Sequence, residues 1–205
     1  MKSEFERIKE IGIVPVIKID DASSATSLAK ALIDGGIPCA EVTFRTADAV
    51  RAIELMREAY PEMLLGAGTV LSIEQARLAK EAGASFVVSP GFNPKVVDWC
   101  IGNDLLIIPG CATPSDMEQA IERGLEVVKF FPAEQAGGIN YIKAVSAPYS
   151  MLYFMPTGGI GTHNLKEYLS FDRVIACGGS WMVKSELINQ GKYEEITRLC
   201  KEAKR

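Results

Sequence analysis

The sequence predicts an α/β chain folded as a (β/α)8 TIM barrel with a short N-terminal helix. Apolar, β-branched segments recur eight times, stretches of helical periodicity separate them, and the repeat of roughly 20 to 25 residues suits right-handed crossovers between parallel strands. With 205 residues, 48% of them hydrophobic and 23% charged, residues 1–205 are expected to form one barrel domain.

In chain order, residues 5–11 read as the short extra helix, placed to cover the barrel's floor. The eight strands are read over 13–19, 40–44, 63–66, 85–88, 105–108, 126–130, 152–155 and 174–177. Between the first three, residues 22–35 and 48–58 return an apolar side chain every three or four positions, as a helix lying on a sheet must. Glycines at Gly35-Gly36, Gly83, Gly102 and Gly124 are expected to close helices, because a left-handed terminal residue costs glycine little. Thr113-Pro-Ser-Asp116 reads as a helix start, with a hydroxyl cap, a proline in the first turn and an acid three places on for a capping box. The competing doubly wound sheet lacks its best evidence, since Lys18-Ile-Asp-Asp-Ala22 carries no G-x-G-x-x-G.

Composition narrows the function. A net charge of -4 and a pI near 5.2 lack the basic excess that would suggest nucleic acid or an anionic membrane surface, so a small molecule is the expected partner. The first ten residues lack the apolar core of a signal peptide, and no apolar run approaches the ~20 residues that span a bilayer; a cytoplasmic protein is expected. Five cysteines without a C-x-x-C pair argue against a disulfide framework or zinc knuckle. With His163 the single histidine, sites that need several imidazoles or a His-dependent triad lack parts. Acid-base chemistry falls to carboxylates or lysine.

In a barrel the strand ends converge on one mouth. Strand two ends in Glu41-Val-Thr-Phe-Arg-Thr46, where alternation puts Glu41, Thr43 and Arg45 on one face and turns Val42 and Phe44 towards the helices. An interior acid and arginine suit either a site or an ion pair closing the mouth. Strand three ends in Gly66-Ala-Gly-Thr-Val70, whose small residues would let a ligand approach and whose Thr69 offers a hydroxyl. Ser89-Pro-Gly91 follows strand four, with Pro90 as a wall. Strands seven and eight finish in Pro156-Thr-Gly-Gly-Ile160 and Cys177-Gly-Gly-Ser180, the positions where barrels bind phosphate through backbone N–H groups. Each pair alone reads as a tight turn; together they point to an anion site, with Ser180 adding a donor.

Strand six holds the misfit, Lys129 in Glu126-Val-Val-Lys-Phe-Phe-Pro-Ala-Glu134. Lysine is rarely buried unless paired or deprotonated, and a desolvated amine is a nucleophile. The alternative is a strand-end lysine snorkelling to water. Of the thirteen lysines, Lys18 is the other strand candidate, but Asp20 and Asp21 follow it and suggest a solvated turn. An amine that attacks a ketone, a carboxylate that moves protons and a distal anion site together describe covalent carbonyl chemistry.

These residues resemble the bacterial class I aldolases that cleave 2-keto-3-deoxy-6-phosphogluconate and 4-hydroxy-2-oxoglutarate. The likeness spans nearly the whole chain, through Val14-Pro-Val-Ile17, Glu41-Val-Thr-Phe-Arg-Thr46, Gly66-Ala-Gly-Thr-Val70, Ser89-Pro-Gly91, Lys129-Phe-Phe-Pro-Ala-Glu134, Pro156-Thr-Gly-Gly-Ile160 and Gly178-Gly-Ser-Trp181, in the family's order and spacing. The resemblance implies a lyase acting through a Schiff base on Lys129, with Glu41 shuttling protons. It places Arg45 and Thr69 on the substrate carboxylate, Pro90 and Phe131 along the pyruvate pocket, and Thr157, Gly158, Gly159, Gly179 and Ser180 near the distal hydroxyls or phosphate. It further implies a keto acid substrate, phosphorylated in the Entner-Doudoroff pathway, no metal or other cofactor, and a homotrimer. Phe44, Phe92 and Cys111-Ala-Thr113 depart from the residues common in the family; Phe44 is expected to alter packing and Phe92 bears on substrate breadth. The alternatives are a pyruvate-dependent aldolase for another keto acid, and a barrel that binds or isomerises a sugar phosphate without a covalent step.

Overall fold

The computed structural model describes residues 3–204. Helix α1 (Glu4–Ile11) precedes β1 (Ile13–Ile17), a 3-10 turn (Ala22–Ser24) and α2 (Ala25–Asp34). Strands β2 (Cys39–Thr43) and β3 (Leu64–Gly68) flank α3 (Ala49–Ala59), and α4 (Ile73–Glu81), β4 (Phe86–Val88), α5 (Pro94–Gly102) and β5 (Leu106–Ile108) follow. The alternation runs on through α6 (Pro114–Glu122), β6 (Val127–Phe130), α7 (Gly138–Ser146), β7 (Tyr153–Pro156), α8 (Leu165–Leu169) and β8 (Cys177–Gly179). It ends in α9 (Ser185–Asn189) and α10 (Tyr193–Ala203).

All eight expected strands are present among the described residues, and every pairing between them is parallel. They form a curled six-stranded sheet in the order β5-β4-β3-β2-β1-β8 and a two-stranded ribbon of β6 and β7. The full eight-stranded ladder that was expected is thereby reduced at two seams to isolated bridges, Gly110 with Lys129 beside β6 and Thr157 with Gly178 beside β8. β5 and β8, the strands of the six-stranded sheet that border these seams, have three residues each.

Most boundaries move by one or two residues from the sequence reading, and β8 moves further. Strand pairing begins at Cys177 because Gly178 and Gly179 lie opposite Val14 and Pro15 of β1, while the expected start, Val174, makes a single bridge to Phe154. Gly179 is therefore a strand residue and not a loop residue. Helix ends follow the same logic of local space. Gly36, Gly83 and Gly124 take positive φ as expected, but Gly102 is the last residue of α5, and the left-handed position falls to Asp104 at φ 52. Aspartate is among the few side chains that tolerate it.

The capping box at α6 forms as read: the Thr113 hydroxyl accepts from the Asp116 N–H and the Asp116 carboxylate accepts from the Thr113 N–H at 3.0 Å. α1 buries Ile8, and its Phe5 meets Tyr153 at the start of β7 edge-on, 5.6 Å between centroids. It thus lies against strand starts, at the end opposite the converging loops. A cleft of about 590 Å³ opens there beside Gly12, Tyr153 and Lys204 and contains none of the residues assigned to chemistry. No helix among the described residues is long and apolar enough to cross a membrane.

Candidate active site

Lys129 and Glu41 face each other across the interior. Lys129, on β6, is 5% exposed and Glu41, on β2, is fully buried; Nζ lies 3.5 Å from Glu41 Oε1. That distance is an ion pair longer than a hydrogen bond, and neither Glu41 oxygen has a hydrogen-bond partner. Burying a charged pair with so little compensation costs stability that a hydrophobic pair would not. The Lys129 backbone donates to Pro109 O at 2.8 Å and accepts from Cys111 N–H at 2.8 Å, which anchors the strand at this point. Its amine also stands 5.3 Å from the centre of the Phe131 ring. Lys18, the other strand candidate, is 42% exposed at its side chain and paired with Asp20 at 2.5 Å.

Glu41 fits because Gly68 has no side chain. A Cβ on Gly68 would stand 2.2 Å from Glu41 Oε1, so the glycine of the third strand makes room for the acid, where the sequence reading had assigned the space to a ligand. The register sets this up, with Glu41 between Val16 of β1 and Gly66 of β3. Thr43, two residues on, donates to Ile17 O at 2.8 Å and accepts from Arg45 Nε at 3.1 Å. Arg45 lies beyond the end of β2, in a turn, and is exposed. The expected shared face thus holds for Glu41 and Thr43 within the strand, while Arg45 is tethered to it through the threonine hydroxyl.

Thr69 follows Gly68 at φ 57, a left-handed conformation that a β-branched residue rarely adopts. Such strain is retained where surrounding structure enforces it and clusters at functional sites. Pro90 is reached from Lys129 through Gly110: the glycine bridges to Lys129, and a Cβ on it would strike Pro90 O at 2.1 Å. Phe92 instead packs beneath the Arg123 guanidinium at the end of α6, 5.4 Å from its centroid, and Phe44 is half-buried against the core.

The loops after β6, β7 and β8 meet. Ala133 N–H donates to Thr157 O at 2.8 Å and Glu134 N–H to Gly158 O at 3.1 Å, which ties the lysine strand's loop to the first glycine pair. Gly158 and Gly159 both have positive φ, 104° and 76°. Thr157 is buried with an unpartnered hydroxyl, packed so closely on Gly178 that a Cβ there would stand 2.3 Å from it. Gly179 is buried under the Trp181 ring and Ser180 is exposed beyond it. Four buried side-chain atoms among the described residues lack a hydrogen-bond partner: both Glu41 oxygens, Thr157 Oγ1 and Trp181 Nε1. The sequence placed Thr43 on the interior face without giving it a role, and gave none to Gly68 or Trp181; the signal for Gly68 was present in Gly-Ala-Gly, but its cause lies on the neighbouring strand.

The family model for KDPG and KHG aldolase matches residues 5–199. The chain is 50% identical over 198 residues to the 2-dehydro-3-deoxy-phosphogluconate aldolase of Treponema pallidum, covering 97% of this chain and 94% of that one. The chain belongs to the KDPG and KHG aldolase family. A second aldolase of the same name, from Haemophilus influenzae, is 48% identical over 97% of this chain and 93% of its own. The KDPG aldolase of Legionella pneumophila superposes with a TM-score of 0.95 at 38% identity over 98% of both chains, and its crystal structure holds pyruvate captured at low pH as a covalent carbinolamine intermediate. The KDPG aldolase of Zymomonas mobilis ZM4, solved with 3-phosphoglycerate, has a TM-score of 0.90 at 36% identity over 97% of this chain and 94% of that one. The family resemblance read from the motifs is borne out.

Proposed function

We propose that this chain is a class I aldolase that cleaves 2-keto-3-deoxy-6-phosphogluconate to pyruvate and glyceraldehyde 3-phosphate, and also takes 4-hydroxy-2-oxoglutarate to pyruvate and glyoxylate. The observation that carries it is the buried Lys129 amine 3.5 Å from a Glu41 carboxylate that no other group satisfies.

Glu41 takes a proton from the Lys129 ammonium, the freed Nζ adds to the C2 ketone, and the hydroxyl of the resulting carbinolamine leaves as water on the proton that Glu41 returns. The iminium that remains draws electrons from the C3–C4 bond. Glu41 takes the proton of the C4 hydroxyl, that bond breaks, and the aldehyde departs while C3 becomes the enamine carbon. Protonation at C3 and hydrolysis then release pyruvate and the free lysine. The iminium is itself the electron sink, so the cycle calls for no metal or other cofactor.

Arg45 and Thr69 hold the substrate carboxylate, Arg45 through its planar fork; Pro90 and Phe131 wall the pyruvate end. Thr157, Gly158, Gly159, Gly179 and Ser180 receive the distal hydroxyls and phosphate. The unpartnered Thr157 hydroxyl supports this, since a buried polar atom without a protein partner is where a ligand's hydrogen bond has most to offer.

Residues 1–205 are read as one (β/α)8 barrel domain closed at the two bridged seams, working in the cytoplasm as a homotrimer in the Entner-Doudoroff pathway. The circular order of pairings and bridges, β1 through β8 and back to β1, supports closure.

Borohydride reduction in the presence of pyruvate is expected to add one pyruvate-derived increment to the Lys129 peptide, with Lys129→Ala abolishing both the increment and turnover. An active Lys129→Ala enzyme without any trapped peptide would overturn the proposal.

A further inference from the structure

Glu134, Asn164 and Tyr168 have been given no part in the reaction, yet Glu134 and Asn164 bond to the glycine pair after β7 and Tyr168 bonds to Glu134. Tyr168, from α8, is 1% exposed and donates its phenol to Glu134 Oε1. Burial first, and then the Glu134 carboxylate, hold that phenol well above its ordinary value of 10.0, so it remains a donor throughout the working range. Glu134 is exposed as a residue, but its stem is pressed against Gly159, where a Cβ would stand 2.6 Å from Cγ. Its backbone N–H meets Gly158 O. Asn164 is buried and spans the same loop from the other side, accepting from Gly161 N–H at 2.9 Å and donating to Gly159 O at 3.1 Å.

Two consecutive residues at positive φ have a broad choice of conformations and need external restraint to present fixed N–H groups. We propose that Glu134, Asn164 and Tyr168 are positioning residues that clamp the Gly158-Gly159 loop in the conformation that receives the substrate's phosphate. The inference rests on the assignment of that loop to the distal end of the substrate. It also gives Glu134, the last residue of the lysine motif, a part: the carboxylate is an anchor turned to α8, not a proton carrier.

The test compares 2-keto-3-deoxy-6-phosphogluconate with the same acid lacking its phosphate. Tyr168→Phe and Glu134→Ala should each raise KM for the phosphorylated acid about three- to tenfold, the loss of roughly one hydrogen bond's positioning, with kcat nearly unchanged. KM for the unphosphorylated acid and borohydride trapping of pyruvate should not move. Glu134→Gln keeps an acceptor for the phenol and should restore KM to the parent value. Asn164→Ala, which loses both backbone contacts, should follow Tyr168→Phe if it folds, and the two exposed-site Glu134 variants decide the matter if it does not.

Equal changes for both substrates, or none, would overturn the clamp. A Glu134→Gln enzyme that binds the phosphorylated acid more tightly than the parent would also overturn it, by making the carboxylate an electrostatic brake. Ser180→Ala separates the inference from its foundation. If that variant loses phosphate selectivity while the clamp variants keep it, the loop assignment stands and the clamp falls; if none of them loses it, both fall.

Discussion

Lys129 was legible in the sequence because a charge in a buried strand has few explanations, and Glu41 because alternation along β2 turns it to the same interior. What could not be read is the space that lets them meet. Gly68 sits two residues beyond Gly66 in a run of small residues that would suit many purposes, and only the pairing of β2 with β3 shows that its missing side chain is filled by the Glu41 carboxylate. The positive φ of Thr69 is likewise invisible, since nothing in a threonine announces it. The arrangement makes Gly68 a sharp probe of the pair. Gly68→Ala must push Glu41 Oε1 off a position that a Cβ would approach to 2.2 Å, in a core where neither strand can yield freely. A displacement of about 1 Å in a catalytic group costs on the order of a hundredfold in rate. We expect kcat for aldol cleavage to fall by that order while the circular dichroism spectrum is kept, and a variant with the parent's kcat would show that Glu41 is not held where the proton transfers occur.

At the scale of elements, the helix starts were the best-marked features and the strand ends the worst. Thr113-Pro-Ser-Asp116 specifies its own structure: the hydroxyl, the ring and the carboxylate each satisfy or excuse an N–H that the first turn leaves without a partner. Strand ends carry no such local mark. Whether Gly178 and Gly179 belong to a strand depends on β1 lying beside them, and whether Gly102 or Asp104 turns left-handed depends on where α5 runs out of room. The α6 cap is therefore the place to test local against tertiary control. Thr113→Ala removes the side-chain acceptor for the Asp116 N–H and should cost about 1 kcal/mol. For a chain of this size that is a fall in melting temperature of about 2 to 4 °C. Because Cys111 joins this helix start to the Lys129 backbone, a much larger fall measured by scanning calorimetry would mean that the cap also holds the lysine strand.

For the whole molecule, the count to eight was readable because each unit repeats the same physical problem, an apolar strand that must be covered by the next helix. The seams were not, because a single bridge between short strands leaves no trace in residue type. The five cysteines show how completely the core is closed, since all of them are free and buried. Burial pushes the Cys100 thiol up to about 11 and the Cys111 and Cys200 thiols to about 12, and raises Cys39 and Cys177 further, all from an ordinary 9.0. Each thiol is thus higher in the folded chain than in the unfolded one. Its contribution is fully present below pH 9.0 and is lost as pH climbs towards the folded values, because the unfolded chain releases protons that the folded chain keeps. The buried Tyr168 phenol, raised in the same direction, adds to the slope. Urea midpoints should therefore fall steadily as pH rises above 9.0, and the thiols should stay closed to a disulfide reagent until the chain unfolds. A midpoint flat or rising across that range, or a thiol that reacts in the native chain at neutral pH, would contradict a core sealed on every side of the sheet.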